Sequence, residues 1–234
     1  MDMLRGHQIA AETGLEDWRK LAQGLHARFR VAGFSQGARF VAAVGEAGDE
    51  VGHHPRARLG ASYVDLELVS DDAIYREDDG TEHVVEWVTQ QDVDMARRVS
   101  ELARQHGLTA DPGAVSEIEL GVETAGPNVI APVWATLLTG DPTAQGRGTP
   151  GDEVRDATGR MPNLMFLDPS GGETRSVVEV YVPLEVRDDR LAAVLAAGGT
   201  VVDDSDAPGF TVVADQDGNR GALCVDTSAV PAAS

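Results

Sequence analysis

The sequence predicts an α+β protein of two domains, and three observations support this prediction. In the first half, apolar residues at helical spacing give way to a segment of strict two-residue alternation, Tyr63 to Val69. In the second half, the order strand, helix and short strands occurs twice. Between the halves, Pro112 and Gly113 mark the stretch 109–115 as a linker. A chain of 234 residues has room for two small domains.

The first half is expected to begin with a helix. Thr13 and Glu16 have the spacing of a capping box, and the apolar residues that follow, as far as Leu25, recur every three or four positions. Ser35 is a residue type that favours the start of a second helix. The other elements expected before the linker are a strand at 27–31, a helix from Ser35 to about Gly48, and strands at 56–62 and 63–69.

A hairpin and a third helix complete the first half. Asp79-Gly80 stands between two β-prone runs, which is a hairpin signal. Thr89 is expected to cap a helix over 90–106, and Gly107 is expected to end it.

The second half is interpreted as two related modules, each a strand and a helix followed by short strands. The segment 140–159, rich in Gly, Thr, Pro and Asp, is expected to be a loop or a lid over a pocket. The expected strands are 117–123, 165–167, 176–182, 200–202, 210–214 and 222–225, and the expected helices are 128–138 and 188–197.

Composition excludes several classes of function. The formal net charge is −20 and the sequence pI is about 4.5, without a basic patch that would bind nucleic acid. No apolar run approaches the roughly 20 residues that a membrane span requires. Cys224 stands alone in an apolar run, so it forms no intramolecular disulfide and is expected to be a small buried hydrophobe. We therefore expect a cytoplasmic protein.

The most informative local motif is His53-His54-Pro55. Imidazole titrates near neutral pH and can both accept and donate a proton, while the proline restricts His54 to an extended conformation. Taken alone, the motif leaves acid–base catalysis, metal binding and a chance surface pair open.

Residues 13–108 resemble the pterin-4a-carbinolamine dehydratases. This family folds as a four-stranded antiparallel sheet with helices on one face, so the resemblance implies that fold for the first domain, 1–110. The residues that carry the resemblance are Trp18, the Phe29 and Phe34 pair, Asp49-x-x-x-His53-His54-Pro55, Tyr63, and Val88-Thr89-x-x-Asp92-x-x-Met95-Ala96.

The resemblance implies dehydration of a 4a-hydroxytetrahydropterin to the quinonoid dihydropterin. In this family the reaction needs no metal, so the pterin is the substrate and no cofactor is expected. By position, His53 and His54 would be the acid and base in contact with the pterin, and Asp92 would orient the site. Asp49 would supply the acidic position before the histidines, and Pro55 would shape the loop.

The sequence departs from the family at a third histidine. The family has a Thr/Ser-His pair at the end of the alternating strand, where this chain has Ser70-Asp71, and an insertion at about 72–87 follows. Two hypotheses address the loss. Asp71 takes the vacant place among the substrate-binding residues, or His83, on the inserted hairpin, folds back to supply the imidazole.

The second half, 116–228, resembles the glyoxalase-like branch of the vicinal oxygen chelate superfamily. The resemblance implies a fold of paired βαβββ modules. Metal-dependent members bind a divalent ion with His and Glu residues, but this chain offers only Glu119 and Glu179 on the matching strands, so we expect no metal. The residues that carry the resemblance are Ile118 to Val122, the helix core from Pro132 to Gly140, and the turn from Val212 to Asn219.

Three hypotheses about function follow from the sequence. The first is a pterin carbinolamine dehydratase with an appended metal-free glyoxalase-like domain. The second is a protein that has lost catalysis and serves as a pterin-like small-molecule binding or scaffolding module. The third, and weakest, is a metal-dependent dioxygenase or lyase in the second half. By resemblance we also expect a homodimer.

Overall fold

The computed structural model describes residues 1–139, 141, 143–144, 153–156, 159, 161–168, 176–214 and 220–228. The chain forms two compact units. The first includes Met1–Tyr75 and Glu86–Ser116, and the second includes Arg76–Val85 and Glu117–Val225. Within the described residues, no helix combines the length and the apolar character needed to cross a membrane.

The first unit is an antiparallel sheet with helices on one face, as predicted. Its main path has the strand order β1-β2-β4-β3, and β7 pairs with β2 at the other end of that strand. The elements between residues 1 and 116, including the hairpin whose outer part is counted with the second unit, are α1 (Gly6–Ala11), β1 (Arg19–Leu21), β2 (Gly24–Arg30), α2 (Phe34–Val51), β3 (Arg56–Leu59), β4 (Tyr63–Leu68), β5 (Ser70–Arg76), β6 (Glu82–Trp87), α3 (Gln90–Gln105) and β7 (Thr109–Ala110).

The core of this unit lies between the sheet and the two long helices. On β4 the predicted alternation is confirmed, because Val64, Leu66 and Leu68 are buried while the residues between them are partly exposed. Phe29 of β2 packs edge-on against Phe40 of α2, with ring centroids 5.3 Å apart. The apolar faces of α2 and α3 therefore cover one side of the sheet.

The predicted helix over Thr13 to Leu25 is wrong. This segment forms β1 and β2, joined by a tight turn in which Ala22 has a φ of 44°. The buried side chain of Trp18 contacts Phe29 edge-on at 6.4 Å, and its indole N–H donates to Ser100 Oγ at 3.1 Å. Packing against β2 and α3 thus overrides a local pattern that happened to match helical spacing.

The other predicted elements of the first unit are largely confirmed. Thr89 and Asp92 form a reciprocal capping box at the start of α3, and Gly107 follows the helix with a φ of +67°. β5 and β6 form the expected two-stranded hairpin, with Gly80 at a φ of +90° in its turn. In contrast, Thr109 and Ala110 of the predicted linker pair with β2 as β7.

The second unit contains the two predicted modules. Within its described residues the strand order is β12-β13-β14-β11-β8-β10-β9, with the first strand of each module, β8 and β11, paired antiparallel at the centre. Helices α4 and α5 follow β8 and β11 as expected. The elements are β8 (Glu117–Glu123), α4 (Pro127–Thr139), β9 (Glu153–Val154), β10 (Asn163–Leu167), β11 (Ser176–Tyr181), α5 (Arg187–Ala196), β12 (Thr200–Asp203), β13 (Phe210–Ala214) and β14 (Arg220–Cys224).

Two sequence interpretations concern residues that are only partly described. The segment 140–159, predicted as a loop or lid, contains the short strand β9, and much of the rest lies outside the described residues. The expected turn at 215–219 lies outside them altogether. Cys224 is buried, as predicted.

Candidate active site

The histidine motif lies at the C-terminal end of α2, where the helix must stop sharply. Gly52 has a left-handed φ of +70°, and its N–H and that of His53 both donate to the carbonyl of Gly48. Gly48 also permits a close approach. A Cβ at this position would lie 2.5 Å from His54 Cδ2 and 3.0 Å from the carbonyl oxygen of His53. The helix end and this glycine therefore fix where the motif lies.

His53 contacts a buried carboxylate. Its Nε2 lies 2.7 Å from Oδ1 of Asp92, whose side chain is fully buried in the first turn of α3. The other carboxylate oxygen, Oδ2, accepts hydrogen bonds from the Thr89 N–H at 2.7 Å, the Thr89 hydroxyl at 3.0 Å and the Ser70 hydroxyl at 2.7 Å. A carboxylate with both oxygens engaged holds the imidazole in one orientation.

This environment favours the charged form of His53. The hydrogen bond that the imidazole donates to Asp92, together with the negative charge of Asp92, raises the pKa of His53 above 6.5, and the charges of Asp72 and Asp71 raise it further, while burial opposes them. His53 is therefore more easily kept as an imidazolium at neutral pH than a free histidine. That state can donate a proton.

His54 forms a second, more exposed pair. Its Nε2 lies 2.9 Å from Oδ1 of Asp49, with the histidine side chain 50% exposed and the aspartate 82% exposed. Pro55 follows and leads directly into β3. The predicted residues thus form two imidazole–carboxylate pairs, one partly buried and one at the surface.

The two candidates for the missing third histidine lie in different settings. Asp71 is exposed at the start of β5, and its charge acts on His53. His83 lies on β6 with its Nε2 2.6 Å from Oε1 of Glu77, on the same hairpin. The structure thus relates Asp71 to His53 electrostatically and gives His83 a carboxylate partner on its own hairpin.

Sequence reasoning missed the hydrogen bonds that Ser70 and Thr89 donate to Asp92. The sequence predicts Thr89 as a helix cap and as part of the motif that resembles the family, and Ser70 only as the residue before a missing histidine. Both side chains are buried, and their oxygens lie 2.9 Å apart beside Asp92. The capping-box spacing of Thr89 and Asp92 was the available signal, because it places the aspartate's carboxylate at the helix start.

A further buried histidine lies on β2, outside this pair. Burial, together with the nearby cation Lys20, lowers the pKa of His26 to about 4. Close by in the sheet register, Arg56 donates to Glu67 at 3.1 Å and to the buried Glu86 at 3.0 Å. His26 is therefore neutral at pH 7.

In the second unit, the two candidate metal-ligating carboxylates are neighbours. Glu119 and Glu179 face each other in the β8–β11 register, and both are buried. The Tyr181 hydroxyl donates to Glu179 at 3.0 Å, and burial raises the pKa of Cys224 to about 12. Over the described part of the chain, no three His, Cys, Asp or Glu side chains group as a metal site.

Comparison with protein families agrees with the two halves of the molecule. Residues 2–102 match the family model of pterin 4 alpha carbinolamine dehydratase, and residues 119–224 match that of a glyoxalase-like domain. The chain carries a pterin dehydratase-like domain followed by a glyoxalase-like domain. Both resemblances stated from the sequence are confirmed. The residues that the pterin 4 alpha carbinolamine dehydratase model matches, 2–102, include His53, Ser70, Thr89 and Asp92.

A search of solved structures also found a protein that is similar to part of this chain. It is a transcriptional coactivator/pterin dehydratase from Brucella melitensis, 23% identical over 44% of this chain and 99% of that chain, with a TM-score of 0.35. Among the curated proteins, none matches this chain.

Proposed function

We propose that the pterin dehydratase-like domain dehydrates 4a-hydroxytetrahydropterins to quinonoid dihydropterins. The observation that carries this proposal is the contact of the partly buried His53 with the buried Asp92, with 2.7 Å between Nε2 and Oδ1. The family match and the raised pKa of His53 support it. The reaction requires a proton donor for a departing hydroxyl, and a histidine imidazolium is suited to that task.

In the proposed reaction, His53 acts as the general acid. Its Nε2 is engaged with Asp92, so a proton passed to the substrate would leave from Nδ1. Protonation converts the 4a-hydroxyl into water as the C4a–O bond breaks. The electron pair of the N5–H bond forms the C4a=N5 double bond, and the N5 proton passes to a base.

His54 is the proposed base. It lies next to His53 in the chain, is half exposed, and has Asp49 beside Nε2 to stabilise the imidazolium that forms. Pro55 keeps the backbone of His54 extended, and Asp71 contributes negative charge near His53. In this proposal no cofactor takes part, and the pterin is the substrate.

The direct test is to follow dehydration by absorbance with wild type, His53→Gln and His7→Gln. His7 is an exposed histidine of α1 and serves as the matched control. We expect His53→Gln to lose about 100-fold in kcat, the range of one general acid or base, and His7→Gln to keep the wild-type rate. A wild-type rate equal to the uncatalysed rate would refute the proposal.

A second candidate function is binding of a pterin-like ligand without turnover. The observation that favours it is that an exposed aspartate, Asp71, stands where the family has its third histidine. Under this alternative a pterin raises the melting temperature while the dehydration rate stays at the uncatalysed level. Calorimetry and the absorbance assay on the same preparation separate the two candidates.

The proposal also includes a homodimer and a glyoxalase-like domain that works without a metal. Light scattering of the purified protein tests the first, because a monomer at micromolar concentration would contradict it. Metal analysis tests the second, because one divalent ion per chain would contradict it and favour metal-dependent chemistry at Glu119 and Glu179.

A further inference from the structure

Ser70 is the first residue of β5 and is 4% exposed. Its hydroxyl donates to Oδ2 of Asp92 at 2.7 Å and lies 2.9 Å from the hydroxyl oxygen of Thr89. Ser70 thus stands one residue before Asp71 yet has a different environment, because its side chain points into the buried cluster at the start of α3.

We propose that Ser70 is a positioning residue of this site, whose hydroxyl, with that of Thr89, fixes Oδ2 of Asp92 so that Oδ1 stays directed at His53. This inference rests on the proposed function, because the purpose of the arrangement is to hold the acid of the reaction. Ser70 acts through Asp92 and has no contact with the reacting atoms in this scheme.

The geometry explains why one hydroxyl matters. The two donors that Thr89 offers to Oδ2, its N–H and its hydroxyl, both belong to the helix cap. The Ser70 hydroxyl comes from a different element, β5, and restricts rotation of the carboxylate about its Cβ–Cγ bond. A buried carboxylate that lacks this donor can turn to satisfy its oxygens elsewhere, and its contact with His53 then weakens.

The first experiment reads the imidazole directly and requires no turnover. Protein labelled with ¹⁵N-histidine is titrated as wild type, Ser70→Ala, Ser70→Thr and Ser100→Ala. Ser100→Ala is the matched control, since it removes a hydroxyl of the same unit that contacts Trp18 instead of Asp92. The charged groups acting on His53 are Asp92 of α3 and Asp71 and Asp72 of β5, and all variants keep them.

We expect wild-type His53 to titrate above 6.5, with its neutral form protonated at Nε2. In Ser70→Ala the midpoint moves toward 6.5 and both neutral tautomers appear, because Asp92 no longer selects one. Ser70→Thr, which keeps the hydroxyl, and Ser100→Ala titrate like wild type. If the added methyl group unfolds Ser70→Thr, Ser70→Cys replaces it as a weak donor of similar size, with an intermediate midpoint expected.

The second experiment measures dehydration kinetics. We expect Ser70→Ala to lose about tenfold in kcat, the equivalent of one hydrogen bond to a charged group, with KM within about twofold of wild type, and Ser70→Thr to restore the rate. A folded Ser70→Ala that titrates like wild type, or a Ser70→Thr as impaired as Ser70→Ala, would overturn the inference. A wild type without activity refutes the proposed function, and the titration still decides the role of Ser70.

Discussion

At the scale of single residues, two histidines of the first unit differ in whether the charged or the neutral imidazole is favoured. His53 and His26 lie in the same unit, but their surroundings shift their pKa values in opposite directions. Asp92 favours the imidazolium of His53, whereas burial near Lys20 and Arg56 favours the neutral form of His26. Opposite shifts predict opposite effects of pH on stability.

For His53 we expect a contribution to stability at low pH. Its pKa in the folded state lies above the ordinary value of 6.5, so the contribution is full below about pH 6.5 and is lost as the pH rises through the folded value. Asp92→Asn should remove this dependence. Urea unfolding at several pH values between 6 and 9 measures how the free energy of unfolding changes with pH. The same pH dependence in wild type and Asp92→Asn would contradict the assignment of this effect to His53.

For His26 we expect the reverse. Its neutral form stabilises the fold above pH 6.5, and this contribution is lost as the pH falls toward the folded pKa of about 4. By pH 4 the loss in free energy of unfolding amounts to about 3 kcal/mol. His26→Gln cannot titrate and should lose stability less steeply between pH 6.5 and 4. His7→Gln serves as the control, and parallel curves for wild type and His26→Gln would count against the prediction.

At the scale of elements, the local patterns predicted most of the fold. The alternation on β4 and the capping box of α3 were read correctly because each depends on neighbouring residues alone. The segment from Thr13 to Leu25 was predicted wrongly, because its conformation depends on contacts with residues distant in sequence. Trp18, for example, contacts Phe29 and Ser100. Contacts between elements carry no signature in one sequence, and for the same reason the sequence does not reveal the hydrogen bond from Ser70 to Asp92.

The end of α2 permits a matched comparison of two glycines. Gly48→Ala places a methyl group against the His53 carbonyl and the His54 ring, so we expect a loss of about 1–3 kcal/mol in stability and a displaced histidine motif. At Gly45 no atom lies within 4 Å of the added Cβ, and Gly45→Ala should gain about 0.5–1 kcal/mol from helix propensity.

Urea denaturation measures the stability of the Gly48→Ala and Gly45→Ala variants, and the dehydration assay measures their activity. A Gly48→Ala variant with wild-type stability and rate would show that the close approach of the loop to α2 is unimportant for the site.

At the scale of the whole molecule, the dominant property is the net charge of −20. Like charges on a compact chain repel each other, and salt screens this repulsion over about 10 Å at 0.1 M. We expect the melting temperature at pH 8 to rise by about 2–4 °C between 10 mM and 500 mM NaCl, which corresponds to about 1 kcal/mol for a chain of this size.

The control for this prediction is the same measurement near pH 4.5, the sequence pI, where the net charge and therefore the repulsion are small. An equal rise at both pH values would point to a general salt effect on apolar burial instead of charge screening.

The two-stranded hairpin of β5 and β6 begins at Ser70 and ends just before Thr89, and the hydroxyl oxygens of these two residues lie 2.9 Å apart. The two ends of the hairpin therefore lie side by side, and the hydroxyl groups at both ends donate to the same oxygen of Asp92. A change in the length of the hairpin that preserves this distance would therefore leave in place the hydroxyl groups that hold Asp92, and with them the orientation of His53.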